Sequence, residues 1–393
     1  MSKANTKYTV AAFLMFCCIP PFFFWHIPVP AIAEGILFLV LITCFKNTEV
    51  TPLRIIMFLL YIVLAILDNG NIFSKILKLF ICPLFFCDAL SIKQIYDSFT
   101  KILCISLLLS IPIYILVVFF GLDLPHTTID PLNTMRDEKY VLYPFLVQAP
   151  SNAFSINYRF LGMFDEPGVI GTFCGIILLL DRFDFKKRRN WVFAISGLFS
   201  MSLTFFFILA MGVLFYSPKK VKLIVILLIP LAIYLLYNND VVYYYVFRRF
   251  EVNDGKFAGY NRTSMDFDLY FLSFLNSPNA LWGLGAGTSA ELDEGGASFK
   301  HMIVDYGLVF FVIYYFSFIL DSIIRIKKWY KIAIYIICIS CILYQRPFIT
   351  NIVYVFLIFS PIVLLELDNE VNSRGAVNNT RIMDKNETKI HNR

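Results

Sequence analysis

Apolar runs recur along the whole chain, at residues 8–25, 28–45, 53–67, 72–90, 102–120, 166–180, 191–203, 204–216, 221–238, 300–321, 331–345 and 348–366. A helix needs about 20 apolar residues to cross a bilayer. Twelve such runs can hardly be hidden inside one water-soluble core. Composition supports the same conclusion: hydrophobic residues make up 59%, charged residues 16%, and the mean hydropathy is +0.71. Soluble domains average about 45–50% apolar and about 25% charged. The 42 Phe and 22 Tyr suit lipid contact and interfacial belts. An ordinary soluble fold and a disordered chain are both excluded. The expectation is an all-α polytopic membrane protein with about 12 transmembrane helices.

Charge distribution sets the topology. The net charge of +6 is no sign of nucleic-acid binding, because the basic residues fall in short segments between apolar runs. Lys3 and Lys7 precede the first run, which reads as a membrane helix rather than a cleaved signal. The stretch 191–216 is long for one span and short for two. Lys186, Lys187, Arg188 and Arg189 precede it, and Lys219, Lys220 and Lys222 follow it. Positive charge is retained in the cytoplasm, so the chain must go out and come back. Two short helices with a buried turn near Ser200–Thr204 meet that demand. A turn at such depth is tolerated only where protein or a water-filled cavity covers it. Twelve crossings then leave both termini cytoplasmic.

The resulting organisation is helices 1–5 over 1–120, an outer loop over 121–165, helices 6–9 over 166–238, a second outer loop over 239–299, helices 10–12 over 300–366, and a polar tail over 367–393. Connections longer than about 12–15 residues are usually functional or disordered. Both outer loops contain Tyr, Phe and Leu, which argues against disorder. Within the second, Asn261 or Thr263 is positioned to cap a helical segment reaching Leu275, and Ser277-Pro278-Asn279 ends it.

Several outer residues carry chemistry. Arg159, Arg248, Arg249 and Arg262 sit among aromatics on the side that the positive-inside rule disfavours. A guanidinium offers a planar fork for phosphate. Glu166, in Asp165-Glu166-Pro167-Gly168, opens the sixth run near Arg159 and can be a base, a positioner of an arginine or a sugar hydroxyl, or simply a helix-start acid. His301 opens the tenth run, with Asp305 on the same face four residues on, suited to orient an imidazole base. Gly283-Leu284-Gly285-Ala286-Gly287 lacks the dinucleotide spacing but permits close backbone approach to a sugar or phosphate. Lys75 and Lys78 read as snorkelling, and Glu34 lies within the second run. The nine cysteines lie in apolar stretches as small hydrophobes, and no Cys/His cluster has metal spacing. No cofactor is expected.

This outline resembles the bacterial O-antigen polymerase (Wzy-type) family, within the wider group that includes the O-antigen ligases. Residues 159–167, Arg-Phe-Leu-Gly-Met-Phe-Asp-Glu-Pro, look like that family's R-x-x-G-x-x-x-E-P element. Gly283-Leu284-Gly285 and the His301 to Leu308 segment look like its helix after the second loop. The resemblance implies a GT-C-like membrane fold with two large periplasmic loops in the bacterial inner membrane. It implies a metal-independent inverting glycosyltransferase acting on undecaprenyl-pyrophosphate-linked oligosaccharides. Arg159 and Arg262, with Arg248 or Arg249, would hold pyrophosphate, and His301 or Glu166 would deprotonate the acceptor. Expected partners are membrane lipid, a chain-length regulator and a flippase. A ligase and a lipid-linked oligosaccharide flippase are the competing readings. The ligase is weakened because Ser202-Leu203-Thr204 lacks the arginine of a Ser-Arg-Gly-like turn. The transporter is weakened because no internal repeat is visible.

Overall fold

The computed structural model describes residues 3–19, 29–45, 50–68, 70–130, 139–151, 154–253, 256–257, 263–293 and 298–369. Arg262, Asn261 and the tail beyond 369 lie outside the described residues. The protein is mostly helical. The helices are α1 (Lys3–Cys18), α2 (Val29–Ile42), α3 (Pro52–Ile66), α4 (Ile72–Leu79), α5 (Ala89–Tyr114), α6 (Pro167–Leu180), α7 (Arg188–Phe199), α8 (Leu203–Tyr216), α9 (Lys219–Tyr237), α10 (Asp240–Tyr245), α11 (Met265–Leu275), α12 (Thr288–Leu292), α13 (Phe299–Ile326), α14 (Trp329–Gln345) and α15 (Ile352–Asn369). Among the described residues, four segments are long and apolar enough to cross a membrane: Ala89–Phe119, Lys219–Tyr237, Phe299–Ile326 and Ile352–Asn369. Six further apolar helices among the described residues are shorter; these make ten, so twelve crossings would require α7 and the broken 72–90 segment to span as well.

The run at 72–90 is not one continuous helix. α4 has eight residues, about 12 Å at 1.5 Å per residue. A 3₁₀ turn over Cys82–Phe86 follows, started by Pro83, which has no N–H to continue an α-helix. Asp88 then caps α5 by accepting from the Ser91 amide at 2.9 Å, so α5 begins at Ala89 rather than near 102. Lys78 does not snorkel. It pairs with Asp68 at 2.8 Å, and both are buried.

α7 and α8 form the expected pair of short helices, 12 and 14 residues long. The turn between them is buried at Ser200 and Ser202. Met201 there adopts a left-handed conformation, φ 47°. α6 lies against both helices: Gly171 meets Ser202, and Gly175 meets Ile208. Nearly all of α6 is buried. α15 is likewise buried over Ile352–Phe359. A helix apolar all round belongs in a core or in lipid. α6 and α15 take the first place. α9 takes the second, exposing Leu223, Ile224, Ile226, Leu227, Leu228 and Leu231.

The outer loops are not wholly helical. The first carries a three-stranded antiparallel sheet of β1 (Thr127–Ile129), β2 (Tyr140–Tyr143) and β3 (Leu146–Gln148), in that order. Thr128 faces Val141, and Leu142 faces Val147. The β-branched and aromatic residues of these strands fit a small pleated surface. The second loop has the short pair β4 (Val252–Asn253) and β5 (Lys256–Phe257), besides α10 to α12. The expected helix there starts one residue after Thr263: Ser264 is the cap, accepting from the Phe267 amide at 3.1 Å.

The two ends of the bundle differ in chemistry. At the end of α6, α13 and α15 and the start of α14, Asp181 pairs with Lys187 at 2.6 Å and with Arg189 at 3.0 Å. Asp368 binds both Arg182 and Lys331, and Glu366 binds Arg325. These cations are among those that the charge count assigns to the cytoplasm. The opposite end, where α6 and α15 begin and α14 finishes, holds the outer loops.

α13 breaks at Gly307, where φ is 86° and ψ is 163°. The segment after α11 fills the break. Leu284 donates its amide to Val304 O at 2.8 Å, Gly285 to Asp305 O at 3.0 Å, and the Val309 amide reaches Leu281 O at 3.2 Å. A Cβ on Gly307 would strike the backbone of Leu281 and Trp282. Gly307→Ala should therefore lower the thermal midpoint of the detergent-solubilised protein sharply. Strain at positive φ alone costs about 1–3 kcal/mol. Gly121→Ala is the control, at φ 63° with open space around it. It should cost clearly less, and equal losses would refute the backbone clash.

Candidate active site

The end of the bundle that carries the two long loops gathers three of the expected arginines around two tyrosines. Arg159 lies near the end of the first loop. Its backbone amide is fixed by the Asn157 side chain at 3.0 Å, and its Nε donates to Ser200 O at 3.0 Å. The adjacent Phe160 amide donates to Phe199 O at 2.9 Å. The α7–α8 turn thus gives its unpaired carbonyls to residues 159–160, as a helix C-terminus requires. The Arg159 guanidinium lies 5.9 Å from the Tyr245 ring centroid, and Arg248 lies 5.1 Å from that of Tyr244. Tyr244 and Tyr245 meet edge to face at 5.1 Å, with Phe154 against both. Arg249 is half-buried beside them. Burial pushes its pKa below the ordinary value, and the neighbouring Tyr245 and Tyr244 oppose that shift. A guanidinium short of water gains most from an anionic partner.

Glu166 stands at the start of α6 but does not cap it with its side chain. Its carboxylate is bound by Arg346. Asp165 lies 3.9 Å from the same guanidinium. Arg346 follows α14 and its side chain is only 7% exposed, against 29% for Glu166. Burial disfavours the Arg346 charge, but the Glu166 and Asp165 carboxylates outweigh it and hold its pKa above normal. Phe348 stacks on the guanidinium at 5.3 Å. The preceding Gln345 accepts from Thr204 Oγ1 at 2.9 Å, and its amide nitrogen packs on Gly168. One strip of polar contacts therefore joins the start of α6, the α7–α8 turn and the end of α14.

His301 belongs to a different group. Its Nδ1 accepts from the Ser298 amide at 3.1 Å, completing a capping box at the start of α13. That acceptor role assigns the ring proton to Nε2, which faces Asp293 Oδ2 at 3.1 Å. Phe267 stacks on the ring at 4.6 Å. Asp293, not Asp305, orients the imidazole. Asp305 is engaged by the glycine-rich loop, accepting from the Gly287 amide at 3.2 Å and the Ser289 amide at 2.8 Å. The anion held by Gly283–Gly287 is thus the protein's own carboxylate. Lys300 beside His301 pairs with Asp268 at 2.7 Å.

The structure brings Arg159, Arg248 and Arg249 together, places Glu166 on the same strip through the α7–α8 turn, and sets His301 in its own hydrogen-bonded group. Sequence reading missed Arg346, Gln345 and Asp293 as partners. The available signal was Gln345-Arg346-Pro347 at the outer end of an apolar run, another arginine against the charge rule. Among the described residues, no group of three or more metal-ligating side chains occurs. No family model, no curated protein and no solved structure matches this chain.

The cap makes His301 structurally necessary whatever its chemistry. His301→Ala should lower stability by about 1 kcal/mol, the usual loss for a helix cap. His301→Gln, able to rebuild the box, should recover most of it. Thermal midpoints of the two variants in detergent would check this, and equal losses would rule the box out as the cause.

Proposed function

We propose that this protein is a glycosyltransferase of a bacterial inner membrane, an O-antigen polymerase of the Wzy type. It would span the membrane about twelve times in a GT-C-like arrangement with both termini cytoplasmic. The observation that carries the reading is the group of Arg159, Arg248 and Arg249 on Tyr244 and Tyr245 at the outer end, continuous with Glu166 at the mouth of α6. Three guanidinium groups at an aromatic interface suit the pyrophosphate of a polyprenyl-linked sugar. The uncovered apolar surface of α9, which leads directly into α10 and Arg248, suits the lipid part of the same substrate.

In the reaction, a hydroxyl of the incoming lipid-linked repeat unit gives its proton to Glu166. Its oxygen attacks the anomeric carbon of the growing chain from the face opposite the leaving group. The bond from that carbon to the phosphate oxygen breaks, and undecaprenyl pyrophosphate leaves with the electron pair. Arg159, Arg248 and Arg249 stabilise the charge that develops there. A metal is not required when arginines fill that role. Glu166 is preferred to His301 as base because both ring nitrogens of His301 are already engaged. A chain-length regulator and a flippase would act as partners in the same membrane.

The deciding experiment is a gel of surface lipopolysaccharide from cells lacking the gene, with and without its restoration. Core carrying a single repeat unit is the expected outcome. Bare core would point to the ligase or the flippase instead. In complemented cells, Arg159→Ala should abolish long chains at unchanged protein level, and Glu166→Gln should do the same. His301→Gln should keep them, and its inactivity in a stable protein would return the base to His301.

A further inference from the structure

Glu166 sits where α6 begins, yet its carboxylate makes no capping bond to that helix. Among the contacts resolved for it is the ion pair with Arg346. The two partners are unequally covered, Arg346 almost fully and Glu166 only in part. The cation is therefore the fixed member. It is flanked by Phe348, which stacks on it, and by Tyr354 of α15, which is buried beside it. Its neighbour Gln345 is tied to Thr204 at the head of α8 and packs on Gly168 of α6. The end of α14 thus registers the positions of α6 and α8 together and presents one rigid charge to one half-open carboxylate. Among the described residues, further titratable groups near the pair are Asp165, 3.9 Å from Arg346, and Tyr140 of β2, whose hydroxyl donates to Asp165 O at 3.3 Å.

We propose that Arg346 is the positioning residue for Glu166, holding its carboxylate ionised and aimed outward from the mouth of α6 to receive the proton of the acceptor hydroxyl. This rests on the glycosyl-transfer reading. Ion pairing alone would not demand an arginine here, since a buried pair is often no more stabilising than a well-packed apolar one. A base, however, needs both a fixed direction and the unprotonated state at working pH. A buried cation supplies both, because a nearby positive charge favours the ionised carboxylate.

The test uses membrane vesicles containing the full chain and the lipid-linked repeat unit extracted from cells lacking the gene, with polymerisation followed against pH. Arg346→Met should lose about 100-fold or more in rate at neutral pH, the scale of general-base catalysis. Part of the rate should return as pH rises. The acid limb of the profile should move up by about 1–3 pH units, since a carboxylate deprived of its cation titrates higher. A stable Arg346→Met protein with an unmoved limb overturns the proposal while leaving the polymerase reading intact. Failure of the wild-type vesicles to lengthen the repeat unit overturns both. If Arg346→Met does not fold, Arg346→Lys decides. It keeps the charge but not the planar guanidinium held against Phe348, so kcat should fall about 10-fold or more at unchanged KM. An unchanged kcat in that variant overturns the positioning role.

Discussion

A helix that stops inside an apolar bundle leaves amides and carbonyls without partners, and no water is there to take them. Among the described residues, the α7–α8 turn and the break of α13 at Gly307 are two such interruptions, at the end of the bundle that carries the long loops. Each is completed by a segment of an outer loop. Phe160 and Arg159 donate to the carbonyls of Phe199 and Ser200. Leu284, Gly285 and the carbonyl of Leu281 complete α13 around its break. The loops are therefore held by the defects of the helices beneath them. Arg159 acquires its place over Tyr245 from the same bond that satisfies the turn, so the arrangement of the arginines follows from backbone accounting rather than from any direct pairing among them.

The broad plan was legible because apolar length and basic clusters are one-dimensional signals. α7 and α8 were readable from the basic residues on both sides of 191–216, and α6, α9, α13 and α14 begin and end within a few residues of the expected limits. The run at 72–90 misled because hydrophobicity says how long an apolar stretch is, not whether it is one helix. Pro83 and the Asp88 cap were the local signs of a break there. The sheet of the first outer loop was invisible for a different reason. Its strands have three or four residues, too few for alternation to stand out.

At the site, residue types were readable and pairings were not. The arginines were singled out from their sign and side, but the ion pair of Glu166 with Arg346, 180 positions on, was not. His301 was matched with Asp305 by helical spacing. The break at Gly307 and the glycine-rich loop give Asp305 other partners, and Asp293 from outside the helix takes the imidazole. Spacing arguments assume one continuous helix and fail where a neighbouring segment inserts.

The contrast between α6 and α9 bears on how such a chain can change over time. Both are apolar along their length, and a hydropathy plot treats them alike. On α9, exchange of one aliphatic residue for another alters contacts with its solvent only, and the exchange is nearly silent. On α6, Gly171 stands against Ser202 with no room for a methyl group, and a methyl on Gly175 would press on buried Ile208. Drift in related sequences should accordingly pass freely through the first helix and be stopped in the second, although nothing in their composition tells them apart.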